Sequence, residues 1–335
     1  MDKLIIYSKD KLLELTSVRA GETKLGERMQ TVSSVNELFN STCKFVLVGL
    51  PEDVGVKANF GIAGARTAWL PALKALVNLQ STNRFRGDEI IVLGHVDFSE
   101  EMNKAEKLDP GKDPELEKLR ELVTEIDAQV FGLISQILSS GKVPLIIGGG
   151  HNNSYPILKA LSSYHKFPVN AINIDAHADF RSLEGRHSGN GFSYALKEGY
   201  LARYAVLGLH ENYNSQSVID ELTSLKKQVF YTFFDDFIRE HTSYDRAFQE
   251  ALNFTQGICG LEIDMDCIAG ALSSAVSPSG FNLNQVREMI AQIKTQEFTY
   301  LHIAEAASKL ADGSENMLCG KAIAYLISDF VKAQL

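Results

Sequence analysis

The chain has 335 residues, of which 45% are hydrophobic and 22% charged, and 42 acidic residues against 33 basic ones give it a net charge of -9. These proportions are typical of a globular chain that can bury a large core, and they exclude a disordered or collagen-like protein. The acidic balance argues against a nucleic-acid surface or an anionic membrane as the main partner.

Three features of the sequence predict a cytoplasmic protein. The four cysteines show no C-x-x-C spacing and are too few for a disulfide framework in a chain of this length. The N-terminal segment mixes charges into its apolar stretch and lacks a small-residue cleavage site, so we expect no signal peptide. No uncharged run approaches the roughly 18 apolar residues that a membrane span needs.

Short β-rich runs alternate with longer amphipathic segments from residue 44 onward. The runs are mostly continuously apolar, as in strands covered on both faces, and they span residues 44–50, 89–96, 143–149, 169–175, 203–209, 229–232, 258–264 and 299–305. The helix-like segments include residues 67–79, 114–139, 154–163, 283–294 and 315–330. This alternation predicts one α/β domain, with a parallel sheet and helices on both of its sides.

Two regions fit this pattern less well. Residues 1–43 form a helical or extended lead-in segment that we expect to pack on the sheet edge, before a catalytic domain at residues 44–335. Residues 99–119 are dense in charge and contain a D-P-G turn signal, which predicts a solvated loop that leads into a helix.

Residues that carry chemistry follow four of the predicted strands. Ligands of open parallel sheets bind outside the carboxyl ends of the strands, so this position is informative. The residues concerned are His151, Asp175, His177, Asp179, Asp264, Asp266 and Glu305.

The D-A-H-A-D segment at residues 175–179 is the most specific of these patterns. Side chains at alternate positions of an extended chain project to one side, so its two aspartates and its histidine converge. A lone aspartate at a strand end is commonly a helix N-cap. Four aspartates on one rim are hard to keep ionised without a cation, because like charges raise one another's pKa. The set therefore predicts a metal site.

The ligand types indicate which metal binds. Two imidazoles and four carboxylates without a thiolate suit Mn²⁺ better than a structural zinc ion. Four aspartates offset the charge of two divalent cations, and paired metals lower the pKa of a shared water to give a nucleophile at neutral pH. The added hydroxide leaves about one surplus negative charge, which suits a cationic substrate.

The motifs GGGHNNSYP (148–156), DAHADFR (175–181), EIDMD (262–266) and EAAS (305–308) resemble those of the ureohydrolase family, which includes arginase, agmatinase and formimidoylglutamase. The resemblance runs from Val46 to the C-terminus. It implies a three-layer α/β/α domain with an eight-stranded, mainly parallel sheet. Members of this family are often trimers or hexamers, so a homo-oligomer is possible, but the sequence does not fix the oligomeric state.

The resemblance also implies roles for the strand-end residues. One manganese is expected on His151, Asp175, Asp179 and Asp264, and a second on Asp175, His177, Asp264 and Asp266. Glu305 matches the glutamate that binds the amidine or guanidine group of the substrate, and Asp179 is expected to orient the attacking hydroxide as well.

Three segments resemble the formimidoylglutamase group in particular. They are PEDVGVKANFGIAGAR (51–66), HSGNGF (187–192) and LSSAVSPSG (272–280). Arginases carry a proton-transferring histidine at about the position of Phe192, which argues against arginase. The resemblance thus implies hydrolysis of N-formimino-L-glutamate to glutamate and formamide, a step of histidine degradation.

Two alternatives stay open at this point. Another ureohydrolase would act on a guanidino compound such as agmatine or arginine, and a metal-binding homologue would lack turnover. His187 is either a proton shuttle or a loop histidine without a role, and Arg66 or Arg181 is a candidate for binding a substrate carboxylate. Ser308 replaces the family's proline, from which we expect a less rigid turn after Glu305.

Overall fold

The computed structural model describes residues 3–335, and its central element is a nine-stranded sheet. The strands are β1 (Leu4–Ile6), β2 (Phe45–Gly49), β3 (Ile90–Val96), β4 (Val143–Ile147), β5 (Val169–Ile174), β6 (Leu201–Leu209), β7 (Val229–Phe233), β8 (Cys259–Asp264) and β9 (Phe298–Ala304). Their spatial order is β1-β3-β2-β4-β9-β8-β5-β6-β7. The eight strands from β2 to β9 are parallel, which confirms the predicted sheet.

Helices cover both faces of the sheet. They are α1 (Lys9–Leu15), α2 (Leu25–Arg28), α3 (Val54–Ala58), α4 (Trp69–Val77), α5 (Ser99–Glu106), α6 (Asp113–Ser139), α7 (Ser154–His165), α8 (Gly191–Lys197), α9 (Gln216–Ser224), α10 (Phe234–Ile238), α11 (Tyr244–Phe254), α12 (Leu283–Gln292) and α13 (Cys319–Gln334). The three-layer α/β/α architecture is therefore confirmed.

Two hydrophobic cores lie on opposite faces of the sheet. In β2, Phe45 and Leu47 enter the core that contains α4, α12 and α13, whereas Val46 and Val48 enter the core that contains α6 and α7. Because side chains alternate between the two faces, a strand buried on both must be apolar at every position. This is why the continuous apolar runs identified the strands correctly.

The lead-in segment packs on the same sheet. Strand β1 pairs antiparallel with β3 at the sheet edge, and Leu12 and Leu25 are fully buried in the core on the α4 side. Residues 1 and 2 of the predicted segment lie outside the described residues. The division of the chain at residue 43 stays a prediction.

The charged segment 99–119 is more ordered than a solvated loop. Its first part forms α5, in which the Glu101 side chain is only 2% exposed and accepts hydrogen bonds from Lys3 and Gln129. Because the buried Glu101 carboxylate has hydrogen-bond partners, the segment can fold as a helix that packs against α6. The prediction of a loop was therefore wrong for residues 99–106. Within residues 3–335, no helix combines the length and the apolarity required to cross a membrane.

Substitution of Gly94 tests the attachment of β1. Gly94 has φ +129°, and an added Cβ would lie 1.9 Å from the Ile5 carbonyl oxygen. We expect Gly94→Ala to lower the free energy of unfolding by about 1–3 kcal/mol and to increase hydrogen exchange in β1. The matched control is Gly132→Ala in α6, where nothing lies within 4 Å of an added Cβ and helix propensity favours alanine by up to about 1 kcal/mol. Unchanged exchange in β1 would contradict the prediction.

Candidate metal centre

The predicted ligands meet at the carboxyl ends of four strands that are adjacent in the sheet. In spatial order these strands are β4, β9, β8 and β5. His151 follows β4, Glu305 follows β9, Asp264 ends β8 and Asp175 follows β5. Strand order thus brings together residues up to 154 positions apart in the chain.

One group of ligands surrounds the imidazole of His151. Its Nδ1 atom lies 3.3 Å from Asp175 Oδ2, 2.9 Å from Asp179 Oδ2 and 3.2 Å from Asp264 Oδ2. None of these contacts has hydrogen-bond geometry, although the nitrogen is buried. His151 Nδ1 therefore faces three carboxylates without a hydrogen bond to any of them.

A second group lies beside the first. His177 Nδ1 is 2.9 Å from Asp266 Oδ2 and 3.8 Å from Asp175 Oδ1. The other carboxylate oxygen of Asp266 is buried without a hydrogen-bond partner. Asp175 belongs to both groups, so the two groups are contiguous.

The spacing of these atoms fits a divalent cation. Ligand atoms bound at about 2.1 Å to one octahedral ion lie about 3 Å apart when they are at right angles. The shortest distances from a histidine nitrogen to a carboxylate oxygen in the two groups are 2.9 to 3.3 Å, close to this spacing. Nitrogen and oxygen ligands in such a set suit Mn²⁺, and the residues present therefore fit the metal.

The pKa values of the metal-free site also indicate a binding site for a divalent cation. Burial raises the pKa of Asp175 to about 7, and the charges of Asp266 and Asp179 add to the rise. The pKa of Asp264 is raised by burial and by Asp266 and Asp175. The pKa of His151 is raised because the surrounding carboxylates outweigh the effect of burial. A divalent cation would relieve this repulsion and would hold the carboxylates in their ionised form.

Glu305 lies beside the two groups and faces the cavity. Its Oε1 atom accepts a hydrogen bond from the His151 backbone N–H (2.9 Å), and its Oε2 atom accepts one from the Ser274 hydroxyl (3.0 Å). Burial raises its pKa to about 8, with contributions from Asp179 and Asp266. Asp179 and Glu305 have φ values of 47° and 59°, a region that non-glycine residues rarely adopt and that is frequent at functional sites.

The site opens into a cavity of about 630 Å³. Among the described residues that line it, Arg181 is the only arginine or lysine, and its side chain is half exposed. Arg66, the other candidate for a substrate carboxylate, lines a separate cavity and contacts Asp53 and Glu106 instead. The structure therefore brings Arg181, but not Arg66, to the predicted ligands.

His187 lies behind the cavity wall and has no exposed surface. Its Nδ1 atom accepts a hydrogen bond from Gly189 N–H, and its Nε2 atom is 3.2 Å from Glu184 Oε1. Burial and the neighbouring Arg181 lower its pKa to about 3. These contacts favour a neutral histidine that supports the loop, and its role as a proton shuttle stays a prediction.

Hydrogen bonds replace the rigidity that a proline would give after Glu305. The Ser308 hydroxyl donates to the Thr67 carbonyl (2.9 Å), and the Thr67 hydroxyl accepts from Ser308 N–H (2.9 Å) and Lys309 N–H (3.1 Å). A proline at position 308 has no N–H for this bond. The expected loosening of the turn is therefore offset by bonds specific to this chain.

Sequence reasoning missed two groups that support the site. Glu52 is fully buried at the carboxyl end of β2 and accepts hydrogen bonds from Gly150 N–H, Asn152 Nδ2 and Asn153 Nδ2. Glu52 follows the apolar run at residues 44–50, and this strand-end position was the signal that could have found it. The second group consists of Glu262, Tyr300 and His302, all fully buried on β8 and β9.

A model of the arginase family matches residues 43–328. A formimidoylglutamase from Macrococcus caseolyticus is 33% identical over 188 residues, which are 55% of this chain and 59% of that protein. The alignment therefore covers less than two thirds of that relative.

Two solved structures share the fold. The formimidoylglutamase from Bacillus subtilis superposes with a TM-score of 0.72 at 21% identity. The superposition covers 95% of this chain and 93% of the Bacillus subtilis chain. A formiminoglutamase from Trypanosoma cruzi, solved with Mn²⁺, superposes with a TM-score of 0.71 at 19% identity. That superposition covers 93% of this chain and 98% of the Trypanosoma cruzi chain. The family match extends over most of the chain, and the chain belongs to the arginase family.

Removal of one ligand tests the metal centre. We expect Mn²⁺ at about 100 times its Kd to stabilise the wild-type protein by about 2.7 kcal/mol per site, seen as a higher Tm. Asp264→Asn should abolish this gain, because Asp264 faces His151 in the ligand set. Without metal, the variant should be at least as stable as the wild type, because one repelling charge is gone.

The control for this experiment is Asp220→Asn on the exposed face of α9. It should retain the full Mn²⁺-dependent rise in Tm. An Asp264→Asn protein that is stabilised by Mn²⁺ as strongly as the wild type would contradict the assignment of the centre.

Proposed function

We propose that the protein is a binuclear manganese hydrolase that cleaves a C–N bond of a linear amidine, with N-formimino-L-glutamate as substrate and glutamate and formamide as products. Membership of the arginase family and similarity to a protein named formimidoylglutamase support the proposal. The choice of metal is supported by the ligand set and by the Mn²⁺ in the Trypanosoma cruzi structure.

The two groups described above would hold the ions. One consists of His151, Asp175, Asp179 and Asp264, and the other of Asp175, His177 and Asp266. The second carboxylate oxygen of Asp264 accepts a hydrogen bond from Asp266 N–H, and Asp264 would also help to hold the ion of the second group. Two divalent ions supply Lewis acidity and a water nucleophile at neutral pH.

Two catalytic side chains complete the reaction. The Glu305 carboxylate accepts the N–H groups of the substrate amidinium and so orients its carbon, and this charge pairing offsets the raised pKa of Glu305. The Asp179 carboxylate takes a proton from the attacking water and passes it to the departing nitrogen. The C–N bond then breaks, the water oxygen stays with the carbon in formamide, and the nitrogen leaves as the amine of glutamate.

The observation that carries the choice of substrate is the location of Arg181. This guanidinium lines the same cavity as Glu305, and its Nη1 atom donates a hydrogen bond to Asn59 Oδ1 (3.0 Å). N-formimino-L-glutamate carries an amidine at one end and two carboxylates in its tail. An anion-binding side chain in the cavity matches that tail, because arginine binds carboxylates in a bidentate manner.

One observation favours a second candidate. Glu221 on α9 lines the same cavity and would attract a cationic tail, such as the amine of agmatine or the ammonium group of arginine. A guanidino substrate is therefore the alternative within the same reaction class. A homologue that binds metal without turnover is the alternative outside it.

A substrate panel tests the proposal. The protein is loaded with Mn²⁺, and glutamate release from N-formimino-L-glutamate is followed beside urea release from agmatine and arginine. Metal-dependent glutamate release at a higher kcat/KM than either guanidino compound would support the proposal. Turnover of agmatine or arginine alone would favour the second candidate. Metal binding without turnover of any of the three compounds would overturn the assignment of N-formimino-L-glutamate and would favour the homologue that lacks turnover.

Substitution of Arg181 tests the carboxylate contact. Loss of a charge-assisted hydrogen bond costs about 1.5–3 kcal/mol, so Arg181→Ala should lower kcat/KM for N-formimino-L-glutamate by roughly 10- to 100-fold. Turnover of agmatine, if present, should not fall, because its tail carries no carboxylate. Arg66→Ala is the matched control, since Arg66 lies in the other cavity. Equal losses in both variants would contradict the assignment of Arg181.

A further inference from the structure

A buried polar cluster lies on the side of His151 that faces away from the aspartates. Glu262 on β8 and His302 on β9 are paired in register, so their side chains lie on the same face of the sheet. Tyr300 lies two residues before His302 on that face, and all three side chains are fully buried. Buried polar groups of this kind are costly unless they have partners, which makes their contacts informative.

Glu262 is the centre of these contacts. Its Oε2 atom lies 2.6 Å from His302 Nδ1, and its Oε1 atom accepts a hydrogen bond from the Tyr300 hydroxyl (2.7 Å). His302 Nε2 lies 3.3 Å from the Gly148 carbonyl oxygen. Both nitrogens of His302 therefore face acceptor oxygens, and the Glu262 carboxylate is held between His302 and Tyr300.

The same carboxylate reaches the free nitrogen of His151. Glu262 Oε2 lies 3.4 Å from His151 Nε2, which is buried and has no hydrogen-bond partner. A shift of a few tenths of an ångström would complete a hydrogen bond between them. Because His151 Nδ1 faces three aspartates, the ring can bind an ion there only if its proton resides on Nε2.

The cluster does not have the spacing of a third ion site. Glu262 Oε2 and His302 Nδ1 are 2.6 Å apart, a hydrogen-bond distance, whereas two ligands of one ion at right angles lie about 3 Å apart. Histidines that bind metals usually donate their other N–H to a carboxylate, which fixes the tautomer and the orientation of the ring. Glu262 is in the position to do this for His151.

We propose that Glu262 and His302 are a positioning pair that holds His151 as the Nε2–H tautomer, and that the pair thereby sets the affinity of the ion site to which His151 belongs. This inference rests on the proposed metal-dependent function. Neither residue touches the ion or the substrate. His302 holds the carboxylate in place, and the carboxylate holds the ring.

The pair would act on only one of the two ion sites. His177, the imidazole of the other group, is partly exposed and lines the cavity, and the Glu262–His302 pair does not contact it. The two ions should therefore bind with different affinities. Loss of the pair should weaken the site of His151 and leave the site of His177 unchanged.

Glu262→Gln tests the proposal in the full-length protein. The side-chain volume is preserved, but the glutamine amide can donate a hydrogen bond to His151 Nε2. This favours the tautomer with its proton on Nδ1, which blocks the nitrogen that would bind the ion. We expect Kd for one Mn²⁺ to rise by about 10- to 100-fold and Kd for the other to stay within about twofold. Competition with a chromophoric chelator measures both constants, and limiting Mn²⁺ should then fill one site instead of two.

Two further variants separate positioning from general structural damage. Tyr300→Phe removes the hydrogen bond to the other oxygen of Glu262 but leaves the pair, so both Kd values should stay near wild type. His302→Gln should weaken the same single site as Glu262→Gln. The Tm of each metal-free variant shows whether a change in affinity is accompanied by a loss of folding stability.

The possible results are distinct. If the wild type binds two ions and Glu262→Gln binds both with unchanged Kd, the positioning pair is wrong and the proposed function stands. Equal weakening of both sites together with a lower Tm would also overturn the pair, because that result indicates structural damage. A wild-type protein that binds no Mn²⁺ would overturn the proposed function and this inference together.

Discussion

Repulsion among buried carboxylates at one edge of the sheet determines what this site can hold. Asp175, Asp264, Asp266 and Glu305 are each at most 4% exposed and face one another across adjacent strands. Water cannot screen charges in that position, so ionisation of all four requires a compensating cation. Two imidazoles with raised pKa partly replace that cation in the metal-free protein.

The fold keeps these groups together through its backbone. Parallel strands end at the same edge, and the two cores on opposite faces make each strand rigid. Local hydrogen bonds then orient the carboxylates: Asp175 accepts from the side chain of Asn173 and from His177 N–H, and Asp264 accepts from Asp266 N–H. The positive φ angles of Asp179 and Glu305 belong to the same arrangement, because strain is tolerated where surrounding contacts enforce it. Carboxylates that are held in place before a ligand arrives are what a metal site and a substrate-binding site both require.

The sequence predicted the strands and their strand-end ligands because those features are local. Burial on both faces requires continuous apolar runs, and the period of two aligns residues 175, 177 and 179 on one side. Glu262 and His302 were not recognised as a pair, because their contact depends on the register of β8 against β9, 40 residues apart in the chain. Strand β1 was missed because it is three residues long and is defined only by its partner β3. The bonds between Ser308 and Thr67 likewise join distant segments, so the sequence showed only the missing proline.

Anomalous diffraction at the manganese edge, from crystals grown with Mn²⁺, shows directly whether the buried carboxylates bind two ions. We expect two manganese peaks per chain. One should contact His151 Nδ1 and Asp179, the other should contact His177 and Asp266, and Asp175 and Asp264 should lie between them. A single peak would contradict the binuclear centre, and peaks elsewhere or none at all would contradict the claim that these buried carboxylates are held together to bind cations.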